Sequence, residues 1–364
     1  MMLKLMRAPS KYVQGKDALL ELHENVKDLG NSFLFICSKS GKKAAQTKIE
    51  QSFSGKNANL IFEVFGGISS TGEIARMQKI AKDNHIEVIC AIGGGSAIDT
   101  AKATAYYEKL PVVIIPTVCA TDAPCTGLSV IYNDDGTFSN YIFYPKNPDA
   151  VIVDSSIIVK APIRFLIAGM GDALGTYFEA RMCVKTNSLS LENGGVTKSA
   201  MALCELCYET LLEDGYKAKK AAEQGLLTPA VEAIIEANTY LSGVGADNGG
   251  LATAHSVYNG FTALKECENT MHGELVAFGT LAQLVLEDAP MEEIEEVLDF
   301  CLSVGLPVTL KELGVTDQTR VMIAAEKACA AGESIHNMLG DVTPEQLYNA
   351  LLAADTIGQD YMGM

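Results

Sequence analysis

Residues 87–116 read EVICAIGGGSAIDTAKATAYYEKLPVVIIP. The apolar run EVICAI ends at Ile92, three glycines follow at 93–95, and helical spacing runs from about Ser96 until a second apolar run, PVVIIP, begins at 111. A strand, a tight turn, a helix and a second strand form the repeating unit of a parallel sheet covered by helices. Glycines let the backbone approach a ligand closely. The free N–H groups at the start of the helix, together with its dipole, attract an anion, and Ser96 adds a hydroxyl. The spacing is not GxGxxG, so Gly94, Gly95 and Ser96 read either as a pyrophosphate site or as a plain strand-to-helix turn. One turn further on, Asp99 and Lys102 read as an i,i+3 surface pair, or Asp99 as a group that orients a cofactor loop.

The same alternation extends outward. Short apolar runs recur at SFLFIC (32–37), NLIFEVF (59–65) and AVIVD (150–154), and TGEIARMQKIAKDN (71–84) has helical spacing. Continuous apolar strands suit burial on both faces. After about residue 160 the strand signal stops, and long Ala-, Leu- and Glu-rich helical stretches follow, such as FLIAGMGDALGTYFEARMC and SAMALCELCYETLLEDGYKAKKAAEQ. The expectation is an α/β N-terminal dinucleotide-binding domain with a parallel sheet (1–160), followed by an all-α C-terminal domain (161–364). Ligands then belong at the carboxyl ends of the strands, in the cleft between the halves.

Composition narrows the function. The chain has 364 residues, 48% hydrophobic and 20% charged, with a net charge of −17. Such a field repels nucleic acid and anionic membranes. The N-terminus turns polar too early for a signal core, and no apolar run reaches the length of a membrane span, which points to a cytoplasmic protein. The ten cysteines are scattered in apolar runs. Cys204 and Cys207 sit in a helical pattern without a second pair, which reads as buried thiols rather than a zinc or redox motif.

Residues 115–133, IPTVCATDAPCTGLSVIYN, place a loop of small polar residues after a strand, followed by a further strand-like run, LSVIY. Asp122 in this loop reads as a turn or cap residue, or as an acceptor for a substrate hydroxyl. Further on, AHSVYNGFTALKECENTMHGE (254–274) holds two of the five histidines, His255 and His272. On one straight helix they would be separated by about 25 Å and about 260°. They can meet only if the chain bends, and KECENT offers the bend, with Asn269 or Thr270 as the N-cap of a second helix. His272 then lies in a first turn, where the dipole favours the neutral imidazole. Asp172, on an apolar helix between Gly171 and Ala173, wants a partner, and a metal would supply one. From spacing alone, two structural histidines compete with this reading.

GGGSAIDTAKA, PTVCATDAPCTGLSVIY, GMGDALGTYFEA, GGLATAHSVYNGFTAL and MHGELVAFGTL occur in that order, and APSKYVQGKDAL opens the chain. Together these motifs resemble the glycerol dehydrogenase family, within the iron- or zinc-dependent alcohol dehydrogenases that share their fold with dehydroquinate synthase. The resemblance implies a metal held by Asp172, His255 and His272, and a substrate contact at Asp122, which makes these four the catalytic set. It implies a dinucleotide site at Gly94, Gly95, Ser96, Thr117, Ala120, Thr126, Leu128 and Tyr132, and a homo-oligomer, often an octamer. The metal it implies is Zn²⁺, with Fe²⁺ or Mn²⁺ as alternatives, and the cofactor is NAD.

Three positions depart from the family's pattern: Ser96 stands for Lys, Tyr258 for His, and Ser38 for the Asp that holds the adenosine ribose. With Lys39, Lys42 and Lys43 beside it, Ser38 makes NADP an alternative cofactor. The expected reaction moves a hydride between the nicotinamide and a small polyol or hydroxyketone, most simply glycerol to dihydroxyacetone. A dehydroquinate synthase-like lyase or cyclase and a polyol-phosphate dehydrogenase are the rivals on the same fold. Both need basic groups in the cleft, for which Lys146, Arg164 and Arg181 are the candidates. A non-catalytic dinucleotide sensor is the remaining reading.

Overall fold

The computed structural model describes residues 2–363. Its first part runs β1 (Tyr12–Gly15), α1 (Leu22–Val26), β2 (Ser32–Cys37), α2 (Lys39–Ser52), β3 (Asn59–Val64), α3 (Thr71–Asp83), β4 (Val88–Gly93), α4 (Gly95–Glu108) and β5 (Val112–Pro116). A hairpin, β6 (Leu128–Tyr132) and β7 (Phe138–Phe143), precedes β8 (Ala150–Asp154). Helices follow: α5 (Ser155–Ile158), α6 (Ile163–Thr186), α7 (Lys198–Ala222), α8 (Pro229–Glu236), α9 (Ser242–Gly249), α10 (Thr253–Phe261), α11 (His272–Leu286), α12 (Met291–Val304), α13 (Val321–Ala328) and α14 (Pro344–Tyr361).

Six strands form one parallel sheet in the order β1-β8-β5-β4-β2-β3. The five expected strands are all in it. The sixth, β1, is a half-buried edge of four residues, YVQG, too short to carry a period. LSVIY is a strand, as its alternation predicts, but it pairs antiparallel with β7 in a separate ribbon. That partner, FSNYIF, is largely exposed, with only Ile142 packed against a buried cluster while Phe138, Tyr141 and Phe143 face outward.

The strands alternate between two cores. Phe33, Phe35 and Cys37 point to one side with Val88, Cys90 and Ile92, against α1 and α2. Leu34 and Ile36 point to the other with Ile89, Ala91 and Ile114, and there the core runs without a break into Met170, Phe178, Leu241 and Phe278 of the helical half. One face of the sheet therefore rests on the helices that carry the site. The order in which strands are added reverses between β2 and β4: β2 and β3 build one flank, and β4, β5 and β8 the other. Such a switch point opens a crevice beyond the carboxyl ends of the strands.

Candidate metal centre and dinucleotide crevice

The bend expected at KECENT is present. α10 stops at Phe261, a 3₁₀ turn spans Lys265–Cys267, and α11 begins with His272. The N-cap is not Asn269 or Thr270 but Met271, whose N–H donates to Glu274 Oε2 at 2.8 Å. Glu274 caps from inside the helix, so no side chain is needed at the N-cap.

The bend brings the rings of His255 and His272 to 5.3 Å between centroids. Asp172, from the middle of α6, lies between them. Its Oδ1 is 3.3 Å from His255 Nε2 and 3.0 Å from His272 Nε2. All three donor atoms fall within 4.8 Å of one another. Asp172 is 1% exposed, His255 12% and His272 25%, so solvent reaches the cluster past His272. An open side is what separates a catalytic metal site from a structural one.

α6 and α11 can bring Asp172 and His272 together because their backbones touch. A Cβ on Gly273 would lie 1.7 Å from Ala168 O, and one on Gly171 2.3 Å from Gly273 O. Each glycine is the immediate neighbour of a site residue, so the crossing that packs the helices also sets the site.

Behind His255 stands Glu179, fully buried two turns along α6 from Asp172. Its Oε2 pairs with His255 Nδ1 at 2.6 Å, and its Oε1 accepts the N–H of Ala252 at 2.8 Å and of His255 at 3.0 Å. One carboxylate thus fixes the ring and caps the helix that carries it. A carboxylate behind a ligating imidazole, holding the other nitrogen, is the usual second support of a metal site. The sequence reading missed Glu179. Its signal was a second carboxylate at i+7 on the same apolar helix face.

Electrostatics suit a cation among these donors. Burial opposes charge on both Asp172 and His255. Even so, His272 and His255 hold the Asp172 carboxyl well below its usual range, and Glu179 and Asp172 push the His255 imidazole well above its own. A proton on His255 supplies the positive charge that two buried carboxylates demand. A divalent ion among the three donors would take over that role and release the proton. The donor set of one carboxylate and two imidazoles suits zinc, iron or manganese.

The loop after β5 joins this cluster. Asp122 N–H donates to Asp172 Oδ2 at 3.0 Å. Asp122 caps no helix, but it opens a turn, its carbonyl accepting Cys125 N–H at 3.1 Å, while its carboxylate accepts no hydrogen bond among the described residues. Burial and the adjacent Asp172 push its pKa well up. Tyr258 sits edge-on to His272, 4.1 Å between centroids. Tyr141 Oη reaches across from the hairpin to donate to Asn259 Oδ1 at 3.2 Å.

The glycine turn stands at the switch point. Gly94 is the N-cap of α4 and has no side chain to cap it, which leaves first-turn N–H groups facing the crevice, with Gly95 and an exposed Ser96 beside them. Thr117 N–H donates to Gly93 O at 3.0 Å, so the turn and the start of the loop are tied. On the other side, Ser38 caps α2 by accepting Gly41 N–H at 3.0 Å.

The surface-pair reading of Asp99 and Lys102 fails, since both are buried. Lys102 Nζ donates to Ala123 O, Thr126 Oγ1 and Leu128 O, holding the loop from Ala120 towards Tyr132 from beneath. A lysine at this spacing looks solvated in sequence because nothing local reveals the loop folding over it. A cavity of about 680 Å³, lined by Lys102, Tyr106, Thr126 and Tyr144 among others, lies behind this loop and does not include the His255–His272 cluster.

The basic groups that a phosphorylated substrate would need are taken. Lys146 pairs with Asp149, Arg164 with Glu274, and Arg181 with Glu287 and Glu293. Among the described residues, no helix is long and apolar enough to cross a membrane.

Known proteins resemble this chain along its whole length. The family model described as iron-containing alcohol dehydrogenase matches residues 9–155. A glycerol dehydrogenase of Citrobacter freundii is 50% identical over 363 residues, covering 99% of this chain and 100% of that protein. The crystal structure of a glycerol dehydrogenase from Schizosaccharomyces pombe superposes with a TM-score of 0.95 at 36% identity, covering 100% of this chain and 94% of that one. A probable glycerol dehydrogenase from Sinorhizobium meliloti 1021 gives a TM-score of 0.92 at 39% identity, covering 98% and 99%. With identity at this level from end to end, the chain belongs to the glycerol dehydrogenase branch of the iron-containing alcohol dehydrogenase family.

Proposed function

We propose that this oxidoreductase interconverts glycerol, or a closely related vicinal diol, and its hydroxyketone, with NAD or NADP as hydride carrier. The carrying observation is the convergence of Asp172 Oδ1, His255 Nε2 and His272 Nε2 at the foot of the loop that holds Asp122. In the balanced reaction glycerol and NAD⁺ give dihydroxyacetone, NADH and a proton.

Asp172, His255 and His272 would hold the metal, which we take as Zn²⁺, with Fe²⁺ or Mn²⁺ able to use the same donors. Such an ion supplies Lewis acidity, which lowers the pKa of a substrate hydroxyl. Glu179 keeps the His255 proton on Nδ1, leaving Nε2 free for ligation. Asp122 orients the second hydroxyl of the diol. Gly94, Gly95 and Ser96 receive the pyrophosphate, Ser38 stands near the adenosine ribose, and Asp99 and Lys102 position the loop. Thr117, Ala120, Thr126, Leu128 and Tyr132 line the nicotinamide half. The division into 1–160 and 161–364 then separates cofactor binding from metal binding, in a cytoplasmic homo-oligomer.

A lyase of the dehydroquinate synthase kind, or a polyol-phosphate dehydrogenase, finds no uncommitted cleft cation at Lys146, Arg164 or Arg181. The test is glycerol-dependent reduction of the dinucleotide before and after chelation. Chelation should abolish it and Zn²⁺, Fe²⁺ or Mn²⁺ should restore it. His272→Ala should lower kcat/KM by about 10³-fold, the order of the several kcal/mol a Lewis acid supplies. Full turnover by metal-free protein would defeat the reading.

A further inference from the structure

We propose that the dinucleotide bound by this chain carries a 2′-phosphate, and that Ser38 and Lys39 make that choice. The inference rests on the dinucleotide reading above. It concerns the flank of the glycine turn opposite the 117–122 loop, since the sheet order there is β5-β4-β2.

The geometry identifies the position. β2 lies parallel to β4 with Cys37 opposite Ile92, and Ser38 N–H donates to Ile92 O at 2.9 Å. Ser38 Oγ would be 3.1 Å from a Cβ placed on Gly93. The residue that ends β2 is therefore the immediate neighbour of the turn that receives the pyrophosphate, and the ribose of the adenosine half extends over it. A carboxylate at this place accepts the ribose hydroxyls and repels a 2′-phosphate.

This chain has no carboxylate there. Residues 38–49 contain four lysines and no acidic residue. The two nearest acids on the neighbouring strand and helix, Glu63 and Glu73, are both held by Arg76. Lys48 is spent on Asp17 and Asp154, and Lys42 Nζ donates to Phe62 O at 3.2 Å. Lys39 and Lys43 are exposed and form no ion pair among the described residues. Lys39 directly follows Ser38, so an uncommitted ammonium and a hydroxyl flank the ribose where an NAD-selective site needs a negative charge. In a molecule of net charge −17, two lysines without an ion pair among the described residues, Lys39 and Lys43, leave this flank of the glycine turn locally positive.

The experiment separates binding from turnover. Calorimetry with the full-length protein compares 2′,5′-ADP with 5′-AMP, and steady-state assays with glycerol compare NADP⁺ with NAD⁺. The expected result is 2′,5′-ADP bound about tenfold tighter than 5′-AMP, the order of one charge-assisted hydrogen bond. Lys39→Ala should erase that preference. Ser38→Asp should invert it and raise the NAD⁺-to-NADP⁺ ratio of kcat/KM about 100-fold, the order expected when an attraction is replaced by a like-charge repulsion. Aspartate caps a helix as well as serine does, so this variant keeps the Gly41 bond and the fold. Equal or tighter binding of 5′-AMP by the unaltered protein would overturn the inference. If 2′,5′-ADP binds tighter but glycerol drives reduction of neither cofactor, the glycerol reading falls and this one stands. If NAD⁺ is reduced and 5′-AMP binds tighter, the reverse holds.

Discussion

At the scale of single residues, the site depends on which nitrogen of His255 is free. Glu179 Oε2 takes Nδ1, and the ring presents Nε2 to Asp172. Glu179→Gln would keep an oxygen for the Ala252 and His255 N–H groups but put an amide donor against Nδ1. The ring would then carry its proton on Nε2, the wrong atom for a ligand. We expect metal affinity to fall about 10–100-fold, the usual cost of losing such a support. Thermal stability of the metal-free protein should change little. Competition with a chromophoric chelator measures the loss, and an unchanged affinity would remove Glu179 from the site. Asp172 was legible in sequence because a carboxylate on an apolar helix demands a partner. Glu179 repeats that signal at i+7, but only folding distinguishes a buried glutamate from a solvated one. The same limit hid Lys102, whose three acceptors, Ala123, Thr126 and Leu128, lie in a loop 21 to 26 residues away.

At the scale of elements, the crossing of α6 and α11 is the decisive contact. The Gly171–Gly273 approach leaves no room for a methyl group. Gly273→Ala must push the helices apart and carry Asp172 away from His272. Overpacking of this kind costs about 3 kcal/mol or more at a site that cannot relax. A lowered midpoint of denaturant unfolding, together with loss of bound metal, is the expected outcome; a variant with unchanged stability and full metal content would contradict it. The helices on either side of KECENT were readable from period and polarity, and so was the need for a bend between the histidines. The angle of that bend was not, because it is set by what α10 packs against. Glu179 from α6 caps its start, and Gln283 from α11 accepts the N–H groups of Thr253 and Ala254. Capping by distant side chains leaves no local motif, whereas the N-cap of α11 falls at Met271 because Glu274, three residues on, closes the turn from inside the helix.

At the scale of the whole molecule, the loop between sheet and helices rests on buried charge. Burial pushes the carboxyls of Asp99 and Asp247 up to about 6. In the unfolded chain they titrate near 3.8. The folded form thus holds these protons more tightly. Their contribution to stability is complete below about pH 4 and is lost as the pH rises through about 6, a cost of about 3 kcal/mol per group. Asp247→Asn should flatten the dependence of unfolding free energy on pH between 4 and 6 in the metal-free protein, and an unaltered slope would refute this account. The parallel sheet, the helical second half and the glycine turn were determined by the sequence alone, because periodicity and turn chemistry are local and a buried strand or helix face must be apolar along its length. The family motifs named Asp122, Asp172, His255 and His272 together. Tertiary structure alone decided that both halves share one core, that a separate ribbon reaches α10 through Tyr141 and Asn259, and that Asp172, Glu179, His255 and His272 meet within hydrogen-bonding distances. Those outcomes depend on contacts between segments about 75 to 100 residues apart, whose energy arises only when the helices pack and exclude water.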